Sequence, residues 1–160
     1  MKKEKPLFNM VHARVESQKT RMEECTRLDI CPFCWNNLNE WHDAPVEVFG
    51  TFWAITANDH PYDGARHHYL AIARDHISSI LELPPGAATE LMSLFSELCL
   101  LKNIPGATIV MRTGEMSYTG ATIFHLHAHI VSGASREEIS NIKYPDSFIT
   151  PVVGYKVPKS

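Results

Sequence analysis

Apolar and polar positions recur along this chain in patterns that name its elements before any chemistry is considered. From Asn9 to Leu28, the residues Val11, Val15, Met22, Cys25 and Leu28 recur at steps of 3, 4 and 7, the spacing of one face of an amphipathic helix. Val46–Phe49 and Phe52–Ala57 are β-branched and aromatic runs flanking Gly50-Thr51, which predicts a β-hairpin. Asn58 to Arg66, with Pro61 and Asp63-Gly64, is a loop, and His67–Arg74 is the next strand. Leu83-Pro84-Pro85 opens a helix to about Asn103, with Leu91, Leu94, Phe95, Leu98 and Leu101 as its apolar stripe. Ile104-Pro105-Gly106 stops it, and 107–112 and 121–131 read as two more strands joined by a polar loop over 113–120. Antiparallel strands covered by a helix give an α+β domain rather than a βαβ repeat.

The last of these strands carries the strongest chemical signal, His125-Leu126-His127-Ala128-His129-Ile130-Val131. Side chains on a strand alternate faces. His125, His127 and His129 therefore share one face, while Phe124, Leu126, Ala128 and Ile130 fill the other. On a helix the same residues would scatter the imidazoles and break the apolar stripe. Three aligned imidazoles need partners, because each one buried unpaired costs roughly 1–3 kcal/mol. A single metal held by all three is disfavoured, since alternate strand residues stand about 6.8 Å apart.

Composition changes this picture little. With 160 residues, 44% hydrophobic and 21% charged, the chain is long enough for one domain with its own core. No apolar run approaches the roughly 18–20 residues that span a bilayer, and Met1-Lys2-Lys3-Glu4-Lys5 leads into polar sequence, so a cytoplasmic location without membrane partners is the expectation. The net charge of -3 offers no general attraction to nucleic acid, so broad polynucleotide binding is not expected and an anionic ligand needs a local site. Of the four cysteines, Cys25 and Cys99 fall in helical runs and read as structural. Cys31 and Cys34 have the spacing of a zinc knuckle. A redox pair and a pair of free thiols are the alternatives, although the βαβ setting of a redox pair is not visible.

Extended over Gly120-Ala121-Thr122-Ile123-Phe124, the histidine run resembles the signature of the histidine-triad family of nucleotide hydrolases and transferases. His68-Tyr69-Leu70-Ala71-Ile72-Ala73-Arg74-Asp75-His76-Ile77 is similar to the family's strand ending in a histidine and an isoleucine, and Cys31-Pro32-Phe33-Cys34 to the Cys-x-x-Cys of its metal-binding branch. These features stand in family order over about residues 28–134. The resemblance implies a five-stranded antiparallel sheet packed with a long helix, a family domain over 29–134 and a C-terminal segment over 135–160 at a homodimer interface, and the helix read from the apolar spacing is then an N-terminal helical extension over 1–28.

For the site, the resemblance implies a structural zinc held by Cys31, Cys34, His76 and His125, with His127 as nucleophile toward an α-phosphate and His129 beside it. A neutral imidazole can attack phosphorus at neutral pH without a separate strong base. Histidine rather than glutamine at the third position leans toward hydrolysis. The small-molecule nucleotide would be held by Asn58 at the ribose, by Thr122 at the phosphate or leaving group, and by Arg112 at a phosphate oxygen. Arg112 and Ala121 depart from the family pattern, and the loop after Gly114 is about two residues longer. The implied activity is cleavage of a nucleoside phosphoramidate or dinucleoside polyphosphate; nucleotide binding with little catalysis is the alternative. His67 and His68, adjacent in a strand, point to opposite faces, so at most one reaches the site, and His12 and His42 read as surface residues.

Overall fold

A computed structural model of the chain describes residues 6–133 and 135. After a 3₁₀ turn at Met10–His12, its elements are α1 (Glu16–Leu28), α2 (Trp35–Trp41), β1 (Val46–Phe49), β2 (Trp53–Ala57) and β3 (His67–Ala73). A 3₁₀ turn at Ile80–Glu82 leads into α3 (Ala87–Lys102), β4 (Thr108–Met111), α4 (Met116–Thr119) and β5 (His127–Ser132). The five strands form one sheet in the order β1-β2-β3-β5-β4, with every pairing antiparallel. The α+β class and the strand count agree with the sequence reading.

The pleat divides the sheet into two working faces. Toward α3 point Trp53 and Ile55 of β2, Tyr69, Ala71 and Ala73 of β3, and Ala128 and Ile130 of β5; they pack with Leu91, Leu94, Phe95 and Leu98. Leu101, expected in that stripe, is 59% exposed, one residue before α3 ends at Lys102. On the opposite face, Leu70 and Ile72 pack with Cys31, Phe33 and Leu38. His127 and His129, also buried, project from this second face. Truncating Phe95 to alanine removes the largest α3 side chain of the first core, a loss of about 3–5 kcal/mol.

The β1–β2 turn is held from α3. The Glu90 carboxylate accepts from the Thr51, Phe52 and Trp53 amides at 2.7, 2.7 and 3.1 Å. A Cβ on Gly50 would stand 2.6 Å from that carboxylate, so glycine is required here by close approach.

Several elements differ from expectation. The N-terminal helix starts at Glu16, not Asn9, because the Asn9 side chain captures the Val11 amide and Ala13 is extended. Val11 and Val15 are consequently exposed. The strand expected over 121–131 begins only at His127, since the preceding backbone is bonded elsewhere: Phe124 N–H donates to Leu7 O at 2.8 Å, Phe8 bridges Ile123, and Leu126 N–H donates to Ile77 O at 2.6 Å. Helix α2 had no counterpart in the sequence reading; it starts where Cys34 O accepts from Asn37 N and Leu38 N. The expected C-terminal segment, Ser135 apart, lies outside the described residues. Among the described residues, no helix is long and apolar enough to cross a membrane.

Candidate functional site

The three histidines of the run do not share one environment. His125 precedes β5 in a bend, and its Nε2–H donates to the Ala73 carbonyl at 2.6 Å. A carbonyl only accepts, so the proton is fixed on Nε2 and the Nδ1 lone pair faces away. That Nδ1 lies 3.5 Å from Cys31 Sγ and 3.9 Å from Cys34 Sγ. Cys34 Sγ lies 3.2 Å from His76 Nδ1, and the four ligand atoms all fall within 4.8 Å of one another.

Tetrahedral zinc with sulfur at about 2.3 Å and nitrogen at about 2.0 Å separates its ligand atoms by roughly 3.3–3.8 Å. Both the chemistry and the spacing of this donor set therefore fit zinc, and the Ala73 carbonyl supplies the outer-shell bond that orients a ligating imidazole. Burial pushes the Cys31 thiol up to about 12 and His125 down to about 4. A dication in this corner would favour the thiolates and reverse the first of these tendencies.

His127 has the other tautomer. Its Nδ1–H donates to the His125 carbonyl at 2.7 Å, which leaves Nε2 as the nitrogen with a lone pair. Phe33 packs edge-on against this ring at 5.1 Å. Burial pushes His127 down to about 4, with a smaller push in the same direction from Arg112, so the ring is neutral at pH 7.

His129 lies 5.0 Å from His127, ring to ring, and belongs to a chain of bonds that the run itself does not contain. The Tyr62 backbone N–H donates to His68 Nδ1 at 3.0 Å. His68 must then carry its proton on Nε2, which lies 2.9 Å from His129 Nδ1 and donates to it. His129 is thereby left as the Nε2–H tautomer. Burial holds His129 well below its ordinary value and pushes His68 to about 4. His68 is the one of the adjacent pair that reaches the site. The signal was available in the alternation, because His68 has the parity of Leu70 and Ile72 on the second face.

These histidines open on a cavity of about 380 Å³ whose lining includes His127, His129, Asn58, Arg112 and Thr122. All five residues line it, Asn58 with its side-chain oxygen engaged locally. Its Oδ1 accepts from the His60 amide, while its Nδ2 stands 3.0 Å from the protonated His68 Nε2, donor against donor, so this contact is not a hydrogen bond. The cavity also receives Arg14, Arg21 and Met22 from the N-terminal segment, which sequence reasoning left without a role. His42, expected at the surface, is 8% exposed; its Nδ1 lies 3.1 Å from Asp59 and its Nε2–H donates to Ala57 O at 2.9 Å. The cause is α2, which carries His42 to its own C-terminal end and turns it inward against β2.

The chain matches the family model for the scavenger mRNA decapping enzyme C-terminal binding region over residues 42–144. No curated protein sequence matches it. Several solved structures share the fold. A hypothetical histidine triad nucleotide-binding protein from Sulfolobus tokodaii superposes with a TM-score of 0.53 at 24% identity, covering 81% of this chain and 82% of its own. A zinc-bound histidine triad family protein from Mycobacterium smegmatis gives 0.53 at 18%, covering 71% and 84%. The histidine triad nucleotide-binding protein of Candida albicans gives 0.52 at 14%, covering 77% and 81%. At these identities the likeness is one of fold, but the family-model match spans most of the domain and includes the whole histidine run, so the chain belongs to the histidine-triad family.

Proposed function

We propose that the protein is a nucleotide hydrolase that cleaves at an α-phosphate through a nucleotidyl intermediate on His127. The observation that carries this reading is the bond from His127 Nδ1 to the His125 carbonyl, which leaves a neutral Nε2 lone pair beside a cavity of nucleotide size. Such a nitrogen attacks phosphorus without first losing a proton. The leaving group departs with its electron pair. Water then adds to phosphorus, one of its protons passing to solvent, and the P–N bond returns its pair to Nε2. His129, neutral with its proton on Nε2, donates a hydrogen bond to a phosphate oxygen. Arg112 and Thr122 hold phosphate oxygens, and Asn58 borders the ribose side.

Cys31, Cys34, His76 and His125 would hold a structural zinc. Bound there, it supplies a clamp between the α2 entry and the β5 entry, and leaves the chemistry to His127. A homodimer in the cytoplasm, with the C-terminal segment at the interface, completes the proposal.

The test is release of nucleoside monophosphate from a panel of adenosine and guanosine phosphoramidates and dinucleoside polyphosphates. Turnover by metal-replete wild type that vanishes in His127→Ala is expected. No turnover across the panel by folded protein would overturn the hydrolase reading and leave a nucleotide-binding protein.

A further inference from the structure

The bond between His68 and His129 has two possible directions, and the choice decides what His129 shows to the cavity. Burial pushes His68 to about 4 and holds His129 well below its ordinary value, so each ring carries a single proton at pH 7. With 2.9 Å between His68 Nε2 and His129 Nδ1, either nitrogen could be the donor. If His68 donates, His129 keeps its proton on Nε2 and offers an N–H. If His129 donates, its Nε2 is a bare lone pair.

The choice is made at the other nitrogen of His68. The Tyr62 backbone N–H meets His68 Nδ1 at 3.0 Å. A backbone amide only donates and cannot rotate as a hydroxyl does, so a proton on Nδ1 would stand donor against donor. His68 therefore carries its proton on Nε2. Asn58 does not contend with this bond, because its Nδ2 lies 3.0 Å from one ring nitrogen and 3.5 Å from the other. A group that near to both nitrogens is in line with neither lone pair.

The amide is itself held in place. The Tyr62 ring packs 4.4 Å from the His68 ring and 5.9 Å from the His129 ring, centre to centre. The Arg14 guanidinium lies 4.5 Å over the same Tyr62 ring, where its charge meets the π face. Arg14 Nη1 also donates to Pro61 O at 3.3 Å, and Nη2 donates to His60 O. One side chain thus ties the Tyr62 ring and the two residues before it. Arg14 is placed in turn by its own N–H, which donates to Gln18 Oε1 at 2.9 Å. The N-terminal segment reaches His129 by this route, through Tyr62 and His68.

We propose that Tyr62 is a positioning residue, anchored by Arg14, whose amide fixes the direction of the His68–His129 bond so that His129 meets the substrate phosphate with an N–H. The proposal rests on the nucleotide reading given above. Ionised phosphate oxygens only accept, so the reversed pair would set a lone pair against them. No proton is consumed or released in this role. The amide selects which of two arrangements of the same protons is populated, and the phosphate finds its donor already formed.

The experiment is a two-bond ¹H–¹⁵N correlation spectrum of the zinc-loaded full chain at pH 7, without nucleotide, for wild type, Tyr62→Pro and Arg14→Gln. Calorimetric titration with adenosine and guanosine monophosphates accompanies it. Proline deletes the amide hydrogen itself. Wild type is expected to show Nε2–H alone for both His68 and His129. In Tyr62→Pro both rings become mixtures of tautomers while His127 keeps Nδ1–H. Monophosphate affinity then falls about 2-fold or more, the factor set when half or fewer of the molecules are competent. Arg14→Gln keeps the amide but frees the loop, and shifts the same two rings by less. Unmixed Nε2–H forms in Tyr62→Pro overturn the proposal, as does Nδ1–H on His129 in wild type. Should Tyr62→Pro not fold, unchanged tautomers in Arg14→Gln overturn it. A variant in which His127 changes along with the other two shows a merely structural loop and also overturns it. Wild type with the expected tautomers that binds neither monophosphate overturns the nucleotide reading instead.

Discussion

His125 and His127 are two residues apart on one histidine run, yet they end in different worlds: one turns its Nδ1 to Cys31 and Cys34, the other offers its Nε2 to the cavity. The side chains are chemically identical. What separates them is which nitrogen a backbone carbonyl has claimed, Ala73 O taking Nε2–H of His125 and His125 O taking Nδ1–H of His127. The same His125 residue thus serves both sites, its ring in the metal corner and its carbonyl beneath the cavity histidine. Two bonds of ordinary strength leave one run with an Nδ1 lone pair beside two thiols and an Nε2 lone pair at the cavity.

The severest way to break this comparison is to remove the reactive side alone. His127→Ala is expected to lower turnover by about 10⁴-fold or more, the scale of losing a nucleophile. Bound zinc, measured by elemental analysis, stays at the wild-type ratio. A variant that loses metal along with activity would show that the two sites are not separable.

Removing the other side should do the reverse first to stability. Chelation, or Cys34→Ser, frees a corner that ties 31–34 to the His76 and His125 segments, and a loss of several kcal/mol lowers Tm by roughly 10 °C in a chain of this size. Scanning calorimetry with and without chelator checks it. An unchanged Tm would remove the structural role of the metal.

Acid sharpens the comparison in a graded way. His68 is held near 4 and His129 well below its ordinary value, both mainly by burial, so the folded state takes up fewer protons than the unfolded chain below the ordinary histidine value of about 6.5. Stability is therefore full above that value and falls as pH drops from about 6.5 toward the folded pKa. One such histidine contributes a slope of up to about 1.4 kcal/mol per pH unit. Urea unfolding at pH 7.5 and pH 5 should show the loss, and His68→Phe should show less of it.

The smallest expected effect is on His129. His68→Ala removes the donor to its Nδ1 and should lower turnover about 10–100-fold, the scale of one hydrogen bond to a charged group, with metal content unchanged. Steady-state kinetics that match wild type would make the His68 bond incidental.

Much of this was legible beforehand because the chemistry sits on period-2 strands. The alternation of 125–131 placed His127 and His129 on one face and Ala128 and Ile130 in the core under α3, as they are. The Cys31/Cys34 spacing indicated a metal corner that the fold brings together with His76 and His125. What the pattern could not carry was anything set by distant backbone. His125 leaves the strand because residues 123–126 bond to 7, 8 and 77, and no local periodicity encodes those partners. Arg14 reaches the site only because residues 9–15 refuse the helix that their apolar spacing suggested. His42 was misread because α2, the helix that turns it inward against β2, had no counterpart in the pattern.

The tautomers themselves are observable. A two-bond ¹H–¹⁵N correlation spectrum of the zinc-loaded protein at pH 7 assigns the protonated nitrogen of each ring. The division described here predicts Nε2–H with a metal-bound Nδ1 for His125, and Nδ1–H with a bare Nε2 for His127. A spectrum in which His127 carries its proton on Nε2 would contradict it, since no lone pair would then face the cavity.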